Sequence, residues 1–379
     1  MMTSVRRLLS AAPLLVLAGI GACTSILGID KSYVEAEDGG ATNDVSASDV
    51  ASPLDSRNDD APNRADGAAV DATADTSPAD AGTDAQRADA TVDATVDAST
   101  GPVTLASGQM SPMRVAVDAT NVYWTNNASG GTVMQVRIAG GNPITLASSQ
   151  NMPWGITVDA TSVYWTNNVA NGAVMKVPIG GGSAVAIASG QAEPQGIAVD
   201  GVNVYWVNSA GGQVMKAPVG GGAAVTLTAA GGGPFDVAVD STNVYWTANA
   251  SRTVNKVPIA GGTATVLAFN QSSAYCIAVD ANNVYWIDTA AGNVMKAPIA
   301  GGAATVLASG QGSPFGIAAD STSVYWSARS TSTVLKVPLG GGSPATLASG
   351  ESTPLGIAID ATNIYWADTG SGRIRMTTK

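Results

Sequence analysis

Histidine is absent from this 379-residue chain, and cysteine occurs only at Cys23 and Cys276. With no imidazole to activate it, neither thiol reads as a catalytic nucleophile. Long apolar runs are missing as well. The only candidate, Leu8 to Ile20, falls short of the roughly 20 residues that a membrane-spanning helix needs. No segment beyond residue 100 has helical length or period, which excludes a helical bundle or an α/β layer. Residues 101 to 379 also lack excess charge: 12 basic and 12 acidic side chains sum to zero. A neutral surface argues against nucleic acid, whose binding needs a basic footprint.

The N-terminus has Arg6 and Arg7, the short apolar stretch, and then Ile20-Gly21-Ala22-Cys23. A basic segment, an apolar segment and small residues before a cut are the features of an export signal. The last four residues resemble the bacterial lipobox, with Ile20 where Leu is usual. This resemblance implies cleavage after residue 22, a lipid on Cys23 and attachment to a membrane. Thr24 stands where an Asp would imply inner-membrane retention, so the expectation is the outer membrane, facing the periplasm or the cell surface. With Cys23 used for lipid, Cys276 has no disulfide partner and reads as a small packed residue.

Residues 31 to 100 hold 14 Asp and 2 Glu against 3 Arg and 1 Lys, among Ala, Thr, Ser and Gly. Low hydrophobicity with a net charge of −12 predicts a disordered, self-repelling tether. Its Ala-Asp repeats lack the Gly turn and terminal Glu of a calcium loop. The expected division is a signal peptide over 1–22, a lipid-anchored linker over 23–100, and a folded, monomeric head over 101–379.

What the head has in abundance is repetition. Tyr-Trp occurs at Tyr123, Tyr164, Tyr205, Tyr245, Tyr285, Tyr325 and Tyr365, spaced by 41, 41, 40, 40, 40 and 40 residues. A fixed period of this length marks a small unit that buries its faces only by stacking on its neighbours. One unit runs from Pro194 to Thr228 as four short β-rich segments separated by Gly, Asn and Asp turns. The predicted fold is all-β, a seven-bladed β-propeller of four-stranded blades. Only six fourth strands follow their blades, and Val103–Ser107 reproduces Ala345–Ser349. That N-terminal strand is therefore expected to complete the last blade and close the ring.

Period-2 geometry sends Tyr and Trp to opposite faces of the second strand, as glue between blades. The glycine runs, such as Gly180–Gly182, lie between two strands with no helix following, so they are hairpin turns and not phosphate cradles. Asp118, Asp159, Asp200, Asp240, Asp280, Asp320 and Asp360 end each first strand, where a carboxylate can bond its own turn. Lys176, Lys216, Lys256, Lys296 and Lys336 recur on the third strand and read as stems with solvated heads.

The segment from Pro354 to Gly370 resembles the YWTD and NHL propeller repeats, a likeness that spans residues 101 to 379. Asp288 and Asp368 match the final Asp of the YWTD motif, which elsewhere is Asn126, Asn167, Asn208, Ala248 and Ala328. The resemblance implies fold more than function. Propeller lyases and lactonases of similar architecture rely on His or on clustered acidic metal ligands.

The loops entering the first strand and leaving the second vary most. After each unit's Pro position stand Met113, Trp154, Gln195, Phe235, Tyr275, Phe315 and Leu355, one per blade, expected to converge near the axis. They form either a ligand-binding ring at a channel mouth or a plug. Arg114 and Asp236 replace the common Gly beside this ring. The expectation is a non-enzymatic binding or scaffolding module for protein, peptide or glycan, with no cofactor. The alternative is a calcium-dependent hydrolase or lyase with Asp288, Asp368 and the Asn residues as oxygen ligands.

Overall fold

Residues that favour extended backbone, interrupted at short intervals by turn formers, divide each unit into four antiparallel strands. In a computed structural model that describes residues 101–379, the first blade comprises an inner strand Pro112–Val117, then Asn121–Asn126, Ser129–Arg137 and an outer strand Ile144–Asn151. Six further sheets repeat this order. The expected leader, Cys23 and acidic tether lie outside the described residues.

The seventh blade has Pro354–Ile359, Asn363–Asp368 and Arg373–Thr378, and its outer strand is Val103–Ala106. Val103 faces Met376 and Thr104 faces Arg375 in antiparallel register. Around this seam the Gln109 N–H donates to the Gly372 carbonyl at 2.9 Å. The Arg375 guanidinium donates to the Pro102 carbonyl at 3.1 Å. The ring closes as expected, with the first and last strands of the head paired in one blade.

Each interface between blades is built on the Tyr of one blade and the Trp of the next. Tyr123 clusters with Trp165, Tyr205 with Trp246, and Tyr365 with Trp124 across the seam. A buried indole N–H needs an acceptor. It finds one in a Gln side chain in five blades, at 2.8 to 3.2 Å, in Glu351 in the seventh and in the Ala230 carbonyl in the fourth. The Gly140–Gly141 hairpin has φ of 89° and 132°, open to Gly at little cost.

One local reading is extended by the structure and one is corrected. Each repeating Asp does bond its own turn: Asp159 Oδ1 accepts the N–H groups of Thr161 and Ser162 at 2.7 and 2.9 Å. Its other oxygen accepts the Tyr164 hydroxyl at 2.7 Å, and the same Asp–Tyr bond occurs in all seven blades at 2.5 to 3.0 Å. The lysine heads are not left to water. Lys176, Lys216, Lys256 and Lys296 donate to the carbonyls of Val219, Ile259, Ile299 and Leu339 in the following blade, at 2.6 to 2.7 Å. A flexible stem reaching an otherwise unpaired carbonyl gains more than a solvated head. Among the described residues, Lys336 makes no such bond.

Candidate functional site

The seven inner strands surround an axial channel, and each carries an irregularity just after its first residue. In blade 3 the pairing steps from Pro194–Asn208 directly to Ile197–Trp206. Extra residues inserted there bend the strand and re-aim the side chain beside the Pro. In blades 1 and 4 the register instead brings Arg114 opposite Thr125 and Asp236 opposite Thr247.

The structure brings six of the seven expected ring residues together, packed against one another at one end of the channel. Met113, Trp154, Phe235, Phe315 and Leu355 form one cluster with Tyr275 packed against it, and the five are 0 to 7% exposed. Phe235 and Tyr275 meet edge to face with centroids 4.5 Å apart. Only Gln195 and Tyr275 remain half-exposed. Hydroxyl groups of the neighbouring blade hold the ring's backbone: Thr125 donates to the Trp154 carbonyl, Thr166 to that of Gln195, and Ser327 to that of Leu355, at 2.7 to 2.9 Å. The Arg329 guanidinium, which sequence reasoning overlooked, lies 5.0 Å over the Phe315 ring.

Beside the plug, Arg114 and Asp236 are buried, at 0% and 2% exposure. Burial pulls the Arg114 guanidinium well below its usual range, opposed by the charge of Asp236. Burial pushes the Asp236 carboxyl up to about 7 against the pull of Arg114 and of the Ile277 and Val237 N–H groups. Cys276, in the same position of blade 5, is fully buried, and burial raises its thiol well above the normal value. It packs as a small residue.

The residues proposed as oxygen ligands serve the loops. Asn126, Asn167 and Asn208 donate to Gln109, Gln150 and Gln191 at 3.0 to 3.1 Å, sharing the oxygen that also accepts the indole N–H. Asp288 accepts the N–H groups of Ser272 and Ser273 at 2.8 Å, and Asp368 accepts that of Thr353 at 2.8 Å. Among the described residues no group of three His, Cys, Asp or Glu side chains is placed to hold a metal ion. Asp288 and Asp368 belong to blades 5 and 7, with blade 6 between them.

The open space lies at the other end of the channel, where the inner strands run into their Asp turns. A cavity of about 990 Å³ is walled by Val117, Val158, Val199, Val239, Val279 and Ile359, with Ala116, Thr157, Ala198 and Ala238 beside them. All seven blades contribute to it, and its rim extends along blades 6 and 7 past Tyr325, Lys336 and Lys379. The Lys379 ammonium bonds Asp320 at 2.7 Å and lies 5.5 Å from the Tyr325 ring centroid. Burial alone would raise the Asp320 carboxyl, but Lys379 and the turn's donors hold it far below the usual range. The signal for this cavity was present in the sequence: the residues before each Asp are small or β-branched in every repeat, too short to fill a seven-bladed axis.

No family model matches the chain, and no curated protein matches it. Solved structures similar to it share the propeller fold at low identity. A streptogramin B lyase has 12% identity and a TM-score of 0.64, covering 73% of this chain and 97% of its own. Virginiamycin B lyase from Staphylococcus aureus has 14% identity and a TM-score of 0.63, covering 73% and 98%. A nidogen/laminin complex has 19% identity and a TM-score of 0.51, covering 62% and 95%. At these identities the likeness is one of fold.

Proposed function

We propose that the chain is a non-enzymatic binding module of the cell envelope, anchored by lipid on Cys23 and presenting its propeller head on the acidic tether. Its ligand, a peptide or glycan segment, enters the axial cavity at the Asp-turn end. The observation that carries this reading is the cavity itself. At about 990 Å³, with apolar walls and a few polar groups at one side of its rim, it matches the size and character of ligand pockets. Lys336, whose ammonium is not spent on the next blade, supplies a directional contact for a carboxylate or a carbonyl oxygen.

Two facts weigh against catalysis at this site. An inactive form of the virginiamycin B lyase carries Ala in place of one His, and this chain has no His at all. The carboxylates on the rim are engaged as well: Asp118 and Asp360 each accept turn N–H groups and a Tyr hydroxyl, and Asp320 does so with Lys379 in addition. The nidogen in the complex with laminin shows that a propeller of this general shape occurs in a protein–protein assembly.

The test is a screen of the full chain against peptide and glycan arrays, repeated with Val199→Trp, which projects into the cavity from its partly buried wall, and with Lys336→Ala. Hits that vanish with Val199→Trp and weaken with Lys336→Ala are expected. Hits indifferent to both substitutions would place binding elsewhere on the head.

A further inference from the structure

The plugged end of the channel holds an electrostatic anomaly. Arg114 is fully buried, and its Nε, Nη1 and Nη2 atoms all lack a hydrogen-bond acceptor. The two ion pairs among the described residues are Arg375–Glu351 and Lys379–Asp320, and Arg114 takes part in neither. A guanidinium presents five N–H groups, and a buried cation with none of them paired is among the costliest arrangements a protein can hold. The neighbouring blade repeats the deficit. The Trp154 indole N–H is also buried without an acceptor, and the Arg114 guanidinium carbon lies 6.0 Å from that ring's centroid. Every other repeating indole, from Trp124 to Trp366, has its acceptor.

Next along the ring, the Gln195 side-chain oxygen is buried and unpaired. The two ends of an amide are assigned by their hydrogen bonds, so turning Gln195 over would put an NH₂ donor where the unpaired oxygen now stands. The side chains at this corner of blades 1 to 3 thus offer donors and call for an acceptor. A water molecule would bring donors as well as acceptors and add no negative charge beside the guanidinium.

We propose that the closed end of the channel binds a small monovalent anion, held by the Arg114 guanidinium and the Trp154 indole N–H, with Gln195 turned to donate. Its chemistry is that of chloride or of a compact carboxylate, because Trp154 belongs to a buried apolar cluster with Met113, Phe235 and Leu355, which offers no partners to a larger polar group. The anion completes the plug and is separate from the ligand of the opposite cavity. Asp236 is the charge that competes with it, since the Coulomb attraction of Arg114 is shared between the two.

Chloride is the probe. The full chain is titrated with sodium chloride against sodium gluconate at constant ionic strength, following the melting temperature and the chloride NMR linewidth. The expected result is a rise that grows with the logarithm of chloride and reaches roughly 5 °C at about a hundredfold excess over Kd, together with line broadening that Arg114→Met abolishes. Asp236→Asn removes the competing carboxylate and should shift both responses to lower chloride. Equal melting in the two salts overturns the proposal, as does broadening that persists in Arg114→Met. Should Arg114→Met fail to fold, the comparison of wild type with Asp236→Asn decides: an unchanged or weaker chloride response in that variant also overturns it.

Discussion

At the scale of single residues, the tyrosines of the repeat act at both ends of the side chain. The ring fills an interface between blades, while the hydroxyl donates to the Asp of its own turn. Burial first, and then that hydrogen bond and the carboxylate's charge, raise Tyr164 and Tyr325 to about 12 and the other five tyrosines of the set, such as Tyr123 and Tyr205, further still. An unfolded Tyr titrates near ~10. Because the folded value is the higher one, the contribution is fully present below pH ~10 and is lost as pH rises through about 12. The head should therefore unfold cooperatively in alkali, with phenolate absorbance and loss of β-sheet circular dichroism appearing together. Phenolate absorbance that develops well before the structure is lost would contradict this. Replacing one hydroxyl, as in Tyr164→Phe, should cost about 1 kcal/mol in urea unfolding, because Asp159 is half-exposed and water can take the lost donor's place.

Asp236 titrates in the same sense, but at lower pH. Its folded value, about 7, lies above that of an unfolded carboxyl, so its contribution is present at acid pH and is lost as pH rises through about 7. The difference in unfolding free energy between wild type and Asp236→Asn should accordingly change between pH 5 and pH 8, with wild type losing ground on the alkaline side. Parallel stability curves across that interval would show that Asp236 is already ionised in the folded state.

At the scale of the element, the blade was largely legible in the sequence. The spacing of Tyr-Trp gave seven units, and counting fourth strands placed Val103–Ala106 on the last blade. What the sequence did not disclose is the traffic between blades. Lys176 reaches Val219, 43 residues away, one period plus a short offset, and that offset depends on which carbonyl the next blade turns outward. In five blades the Gln that accepts the indole N–H lies 15 residues before its Trp, across a loop whose path no local signal encodes. The seam has its own version of these contacts. Glu351 takes the indole of Trp366 and lies 3.6 Å from Arg375, which also bonds the Pro102 carbonyl. Leu105 on the closing strand is buried beside Trp124 and Tyr365. Leu105→Asp should cost on the order of 3 kcal/mol, by placing a carboxylate in that cluster. The loss should appear as a lower urea midpoint and greater protease sensitivity near residue 100. A substitution without effect on either would mean that the ring holds without its closing strand.

At the scale of the whole molecule, the two ends of one channel have been given opposite jobs by residue size. The bulky residues following each Pro were visible in the sequence, but side-chain size alone does not say whether seven such groups line an opening or fill it. Burial decides it: five of them are 0 to 7% exposed, and the room lies beyond them, where Val and Ala face the axis. This asymmetry separates stability from binding and can be tested by substituting each end in turn. Trp154→Ala empties part of the plug and should cost about 3 to 5 kcal/mol, as removal of a buried aromatic does, while ligand capture at the far cavity is retained below the lowered melting temperature. Val239→Trp should do the reverse, abolishing capture and leaving the melting temperature within a few degrees of wild type, because Val239 lines the open space and is only partly buried. If instead Trp154→Ala eliminates capture in a protein that is still folded, the plugged end is the recognition face, and the assignment of the two ends must be exchanged.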